Sequence, residues 1–255
     1  MNAGSPVKRG YVRPLNLREG RIDMSHGAGG RASAQLIEEL FVAAFDNTWL
    51  REGNDGAVFT PELAPGERMV MATDAHVVSP LFFPGGDIGS LSVHGTVNDV
   101  AMTGARPLYL AASFIIEEGF PLADLKRIVD SMARASRQAG VPIVTGDTKV
   151  VERGKGDGVF ISTTGIGVVA AGVNTSGHRA RPGDAILLSG SIGEHGVAIM
   201  SKREALEFDT EIISDSIALH ELVAHMLATA PGLRVLRDPT RGGLATTLNE
   251  IAGQS

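Results

Sequence analysis

Four stretches of this chain read as buried strands: Arg68–Thr73 (RMVMAT), Pro107–Ile116 (PLYLAASFII), Val141–Thr145 (VPIVT) and Val159–Val169 (VFISTTGIGVV). They constrain the fold most, because runs this apolar must be covered by other elements. Helical signals separate them. Leu36, Ile37, Leu40, Phe41 and Ala44 recur at 3.6-residue spacing within Ala32–Phe45. Asp87 is placed to cap a helix from Ile88 to about Thr103, and Pro121 suits the first turn of a helix. That second helix has an apolar stripe of Leu125, Ile128, Val129, Met132 and Ala135. The class is therefore α/β (α+β) with a mixed sheet.

Arg181-Pro182-Gly183-Asp184 reads as a turn at a domain boundary. Beyond it a strand is expected at Ala185–Leu188, with helices at Gly196–Leu206, Ser216–Thr229 and Gly242–Gln254. The expected organisation is a loose tail over 1–21, an N-terminal domain over 22–175 and a C-terminal domain over 176–255. One strand and three helices are too few to cover a sheet, so the C-terminal domain is expected to be partial and the chain truncated.

Composition narrows the function classes. The net charge of −6 argues against binding that depends on neutralising nucleic-acid phosphates. No run of 18 apolar residues offers a membrane span. Residues 1–20 lack the apolar core of a secretory signal, so a cytoplasmic location is expected. With no cysteine, these residues form neither a disulfide nor a thiolate site.

The 32 glycines are well above the roughly 7% norm, and they cluster beside strand ends and helix starts. Such clusters bring backbone close to a ligand, although turn chemistry explains any one of them. Ser25-His26-Gly27-Ala28-Gly29-Gly30 precedes the first helix, but it is neither a Walker A loop nor GxGxxG after a strand.

Four aspartates stand out. Asp55 lies in a turn, Asp74 and Asp147 end strands, and Asp99 sits mid-helix, where aspartate is a poor residue. Each alone is commonly a turn former or cap. Together, carboxylate oxygens without cysteine partners favour Mg²⁺, and beside Gly-rich backbone they suggest a nucleoside triphosphate. Lys149 could neutralise phosphate or act as a base. His26, His94 and His195 have no metal-ligand spacing and are expected in satisfied polar roles. Arg241-Gly242-Gly243 at a helix start is a candidate anion site, while Arg237 and Asp238 could simply pair.

The ordered set HGAGG (26–30), NDGA (54–57), TDA (73–75), PLFFPGG (80–86), GTVNDVA (95–101), VTGDTKVV (144–151) and RDPTRGG (237–243) resembles the HypE hydrogenase expression/formation proteins. These belong to the PurM-like superfamily of aminoimidazole ribonucleotide synthetase and selenophosphate synthetase. The resemblance runs from about Ile22 to the end. It implies an ATP-dependent dehydration of a cysteine S-carboxamide to a thiocyanate, which supplies cyanide to [NiFe]-hydrogenase. It also implies a homodimer whose N-terminal strands form a shared barrel, with the carbamoyltransferase HypF and the iron-carrying HypC–HypD complex as partners.

Carried over to this chain, Asp55, Asp74, Asp99 and Asp147 would be the Mg–ATP carboxylates. Gly27, Gly29 and Gly30 would form a mobile nucleotide-covering loop. Asn98, Gly146, Thr148 and Lys149 would lie near the phosphates, with Lys149 and Asp99 as catalytic groups. The family's reactive C-terminal cysteine has no counterpart among these residues, so the chain alone is expected to be incomplete for turnover. The alternatives are an ATP-dependent small-molecule enzyme of the same superfamily, of selenophosphate or thiamine-phosphate type, and a non-enzymatic maturation adaptor.

Overall fold

The computed structural model describes residues 14–204 and 212–255. Its first α-helix is α1 (Gly30–Leu36), which runs through a π-helical turn at Ile37–Val42 into α2 (Ala43–Phe45). Leu36, Leu40 and Phe41 are buried as the periodicity implies, but Ile37 is exposed, because the widened turn rotates it off the stripe. The short α3 (Thr48–Glu52) follows, capped by Asn47.

The central sheet contains β1 (Arg68–His76), β4 (Ala105–Glu117), β5 (Ile143–Val151) and β6 (Val159–Val169), in the order β1-β6-β4-β5. The β4–β5 pair is parallel and the other two are antiparallel, so the sheet is mixed. A small hairpin of β2 (Phe82–Phe83) and β3 (Gly86–Asp87) leads into α4 (Ile88–Met102). Asp87 caps α4, accepting from the Gly89 and Ser90 amides at 2.8 and 3.0 Å. Next, α5 (Leu122–Ala139) packs on α4, and its predicted stripe is fully buried. Together, α4 and α5 form the main core over one sheet face with Leu110, Phe114, Ile143 and Ile161.

Two strands differ from the expected reading. Neither Asp74 nor Asp147 ends its strand: β1 continues to His76 and β5 to Val151. Nor is β1 buried. It is a sheet edge whose outward residues are open, with Met71 73% exposed.

The C-terminal stretch contains α6 (Glu194–Glu204), α7 (His220–Thr229) and α8 (Gly243–Gln254). The Arg181–Asp184 turn forms, with Asp184 N–H on the Arg181 carbonyl at 3.1 Å. The strand expected at Ala185–Leu188 does not. Those residues are irregular and exposed, with no pairing partner among the described residues. The helix expected from Ser216 starts at His220, because residues 216–219 are held by side chains of α4. Residues 205 and 206, the end of the helix expected at Gly196–Leu206, lie outside the described residues. Among the described residues no helix is long and apolar enough to cross a membrane.

Candidate functional site

The site starts where α4 crosses β1. Gly95 permits that crossing, since a Cβ there would lie 2.9 Å from His76 Nε2 and 3.4 Å from Asp74 Oδ2. Asp74 Oδ2 meets His76 Nε2 at 3.2 Å. Its Oδ1 accepts the Ala75 amide at 2.8 Å and faces the Arg241 guanidinium at 3.4 Å.

One turn of α4 further on, Asp99 is half-buried. Burial, then the carboxylates of Asp238 and Asp74, push its pKa up to about 6, against the opposing pull of Arg241 and Arg237. Burial likewise raises Asp238, with Asp74 adding to it. Carboxylates from β1, α4 and the loop before α8 thus press on one another. Ionisable groups perturbed by burial and by like charge are typical of functional sites.

Sequence reasoning missed Asp238 and His76. It offered Asp238 as a partner for Arg237, but the ion pair of Arg237 is with Glu250. The neighbouring RGG marked this loop as an anion site, and that was the available signal. Nothing in the sequence pointed to His76, which is brought to Asp74 by the i, i+2 spacing of a strand.

A second group of the expected residues gathers at β5. Gly27 packs against it so closely that a Cβ would lie 2.4 Å from the Val150 backbone nitrogen. The glycine-rich turn is thereby seated beside Lys149. Gly29 and Gly30 have φ of +83° and +77°, and Gly29 donates to Ser33 Oγ at 2.9 Å as the chain enters α1. Asp147 and Lys149 are exposed on β5, and among the described residues Lys149 has no ion-pair partner. Thr148 donates its amide to Asp147 Oδ1 at 2.8 Å, while Gly146 lies against the Ala112 carbonyl.

The two groups lie on opposite edges of the sheet. Asp74 is level with Thr163, Ala112 and Gly146 along the ladder. Three strand spacings put the edges on the order of 14 Å apart. Asp55 is exposed in its turn and joins neither group. Asn98 spends both ends of its amide on the strap before α7: Nδ2 donates to the Ile217 carbonyl at 2.9 Å, and Oδ1 accepts from the Leu219 amide at 2.8 Å.

The histidines are placed as polar structural groups. His26 Nδ1 accepts the Asp23 amide at 3.1 Å. His94 and His195 bond the hydroxyls of Ser216 and Ser214 at 3.0 and 2.9 Å, and burial lowers the pKa of both.

Among the described residues, no group of three carboxylate or imidazole side chains encloses a metal ion. The all-oxygen set of Asp74, Asp99 and Asp238 still fits Mg²⁺, which takes one or two carboxylates and completes its shell with water and phosphate.

The chain that folds into this mixed sheet backed by two helices, with acidic residues at its β1 edge, belongs to the AIR synthase related proteins. The N-terminal domain model of that family matches residues 53–169 and the C-terminal domain model matches 181–255. Within that class the chain belongs to the HypE carbamoyl dehydratases, which are hydrogenase maturation proteins. It is 80% identical to carbamoyl dehydratase HypE of Cupriavidus necator over 249 residues, which is 98% of this chain and 70% of the relative. A crystal structure of hydrogenase maturation protein HypE in complex with ATP matches with a TM-score of 0.87 at 55% identity, covering 91% of this chain and 68% of that one. A HypE–HypF complex structure matches at 0.73 and 55%, covering 86% of this chain and 70% of that one.

Proposed function

We propose that this chain binds Mg–ATP and uses it to dehydrate a cysteine-bound carboxamide. The carrying observation is the raised Asp99 beside Asp74 and Asp238, a carboxylate group suited to a cation brought by a triphosphate. ATP complexed to a HypE that is 55% identical supports the same reading.

An amide oxygen leaves poorly until it is phosphorylated. Transfer of the γ-phosphoryl group to the carboxamide oxygen converts it to a phosphate leaving group. The C–O bond then breaks as both N–H protons are lost, giving S–C≡N, ADP and phosphate. Such a transfer needs positioning and charge neutralisation more than a protein nucleophile. Mg²⁺ supplies neutralisation when bound; Asp74, Asp99 and Asp238 would hold it, and in this reading Asp147, on the opposite sheet edge, and Asp55, in its exposed turn, would reach the same nucleotide from a second copy of the chain. The Gly27–Gly30 turn would cover the phosphates near Lys149. Asp99 and Lys149 are the groups able to take the amide protons. The carboxamide enters on a cysteine that these 255 residues do not contain.

The partners in this reading are HypF, which loads the carbamoyl group, and the HypC–HypD complex, which receives the cyano group. A homodimer is also proposed. Met69, Met71 and Ile115 are exposed apolar groups on the sheet, and the two groups of site residues occupy opposite sheet edges, so a second copy could close both into one nucleotide site.

The test is Asp99→Asn in the full-length enzyme. Loss of ATP-dependent dehydration by at least about 100-fold, with complex formation intact, is the expected result. Unchanged maturation of hydrogenase with this variant would favour a pure adaptor.

A further inference from the structure

We propose that His76 is a positioning residue that fixes the Asp74 carboxylate toward the nucleotide site. The inference rests on the reading above that Asp74 faces Mg–ATP.

His76 is the last residue of β1 and is paired with Ile161 of β6. It is 7% exposed. The ring lies between strand and helix, against the bare Cα of Gly95. Asp74 and His76 are two residues apart on one strand, so both side chains fall on the same face.

His76 Nε2 lies 3.2 Å from Asp74 Oδ2. A carboxylate oxygen only accepts, so a proton shared across that contact belongs to Nε2. Nδ1 has no hydrogen-bond partner, so Nε2 is the ring nitrogen in polar contact with the site. Its contribution is direction: it holds Oδ2 against the helix and leaves Oδ1 turned outward, toward Ala75 N–H and Arg241. Outer partners that orient a metal-binding side chain commonly govern affinity by 10- to 100-fold. Elsewhere Asp74 is held through Oδ1, by the adjacent Ala75 amide and by Arg241, whose side chain is 90% exposed.

The experiment compares wild type, His76→Phe and His76→Gln in the full-length enzyme by calorimetric titration with ATP, in excess Mg²⁺ and in EDTA, with melting curves alongside. Phenylalanine keeps the buried ring and removes the donor, whereas glutamine restores an N–H. We expect His76→Phe to weaken ATP binding in Mg²⁺ by about 10-fold and to leave binding in EDTA unchanged. His76→Gln should recover most of the loss. Wild-type affinity for His76→Phe in Mg²⁺ overturns the inference, as does an equal loss in both variants, which would assign the ring to packing alone. If wild type itself binds no ATP, the functional reading fails first and this inference with it. Should His76→Phe not fold, Gly95→Ala pushes on the same ring and is expected to show the same Mg²⁺-specific loss.

Discussion

The two family-model regions are built in opposite ways. Residues 53–169 enclose most of the main core, and the largest side chains of α5 and the inner sheet face are fully buried. In residues 181–255, only Ala198, Ser214, Val223 and Thr247 are buried among those described, and no strand is paired. The second region is held to the first by point contacts. His94 reaches Ser216, Asn98 reaches Ile217 and Leu219, the Pro84 carbonyl accepts from Ser214, and Arg241 reaches Asp74. The difference teaches that a core can position a site without enclosing it: one region supplies a rigid floor and the other lends side chains across a polar seam.

The sharpest way to break this comparison is a matched pair of truncations. Leu125→Ala in α5 should cost about 3 kcal/mol by leaving a cavity in a core that cannot collapse. Leu187→Ser, at an 85% exposed position, should change stability by no more than about 0.5 kcal/mol. Urea unfolding of both variants checks it, and equal losses would mean that the second region has a core of its own.

Asn98→Ala tests the seam. It removes two part-buried hydrogen bonds, leaving the Leu219 amide and the Ile217 carbonyl without their partner, at about 1–3 kcal/mol. Amide exchange should quicken at the start of α7 while α5 stays protected. Uniform quickening would show that the strap and the core unfold as one.

The smallest expected effect is on stability at the acidic floor. Because the folded-state pKa of Asp99 is raised to about 6 from 3.8, ionisation works against the native state above pH 6. That cost fades as pH falls from 6 toward 4 and is absent below 3.8, where both states are protonated. Asp99→Asn should therefore raise the melting temperature at pH 7.5 by about 2–4 °C, a gain that disappears near pH 4. A variant less stable at pH 7.5 would mean that Asp99 is structurally paired and not strained.

Much of the floor was legible in the sequence because its signals are local. The Asp87 cap, the α5 stripe and the full extent of β6 follow from residue spacing alone. The errors arose where long-range contacts decide. Asp74 and Asp147 looked like strand ends because charge interrupts an apolar run, yet each lies on a sheet edge, where charge is tolerated mid-strand. Ala185–Leu188 has strand propensity but no neighbour to pair with. Helix α7 starts late because Asn98 takes the Leu219 amide that an earlier helical turn would use. Asp238 could be recognised only once the loop before α8 was seen to return to α4.

The widened turn at Ile37–Val42 sets a phase relation. It carries about one more residue per turn than the α-helix on either side, so the segment ahead of it is rotated relative to the Phe41 anchor behind it. Deleting a single residue there would restore regular winding with the flanks in phase, whereas winding all six residues as α-helix would swing Gly27–Gly30 by about 100° around the helix axis. The turn thus works as a gear tooth, setting which way the glycines face.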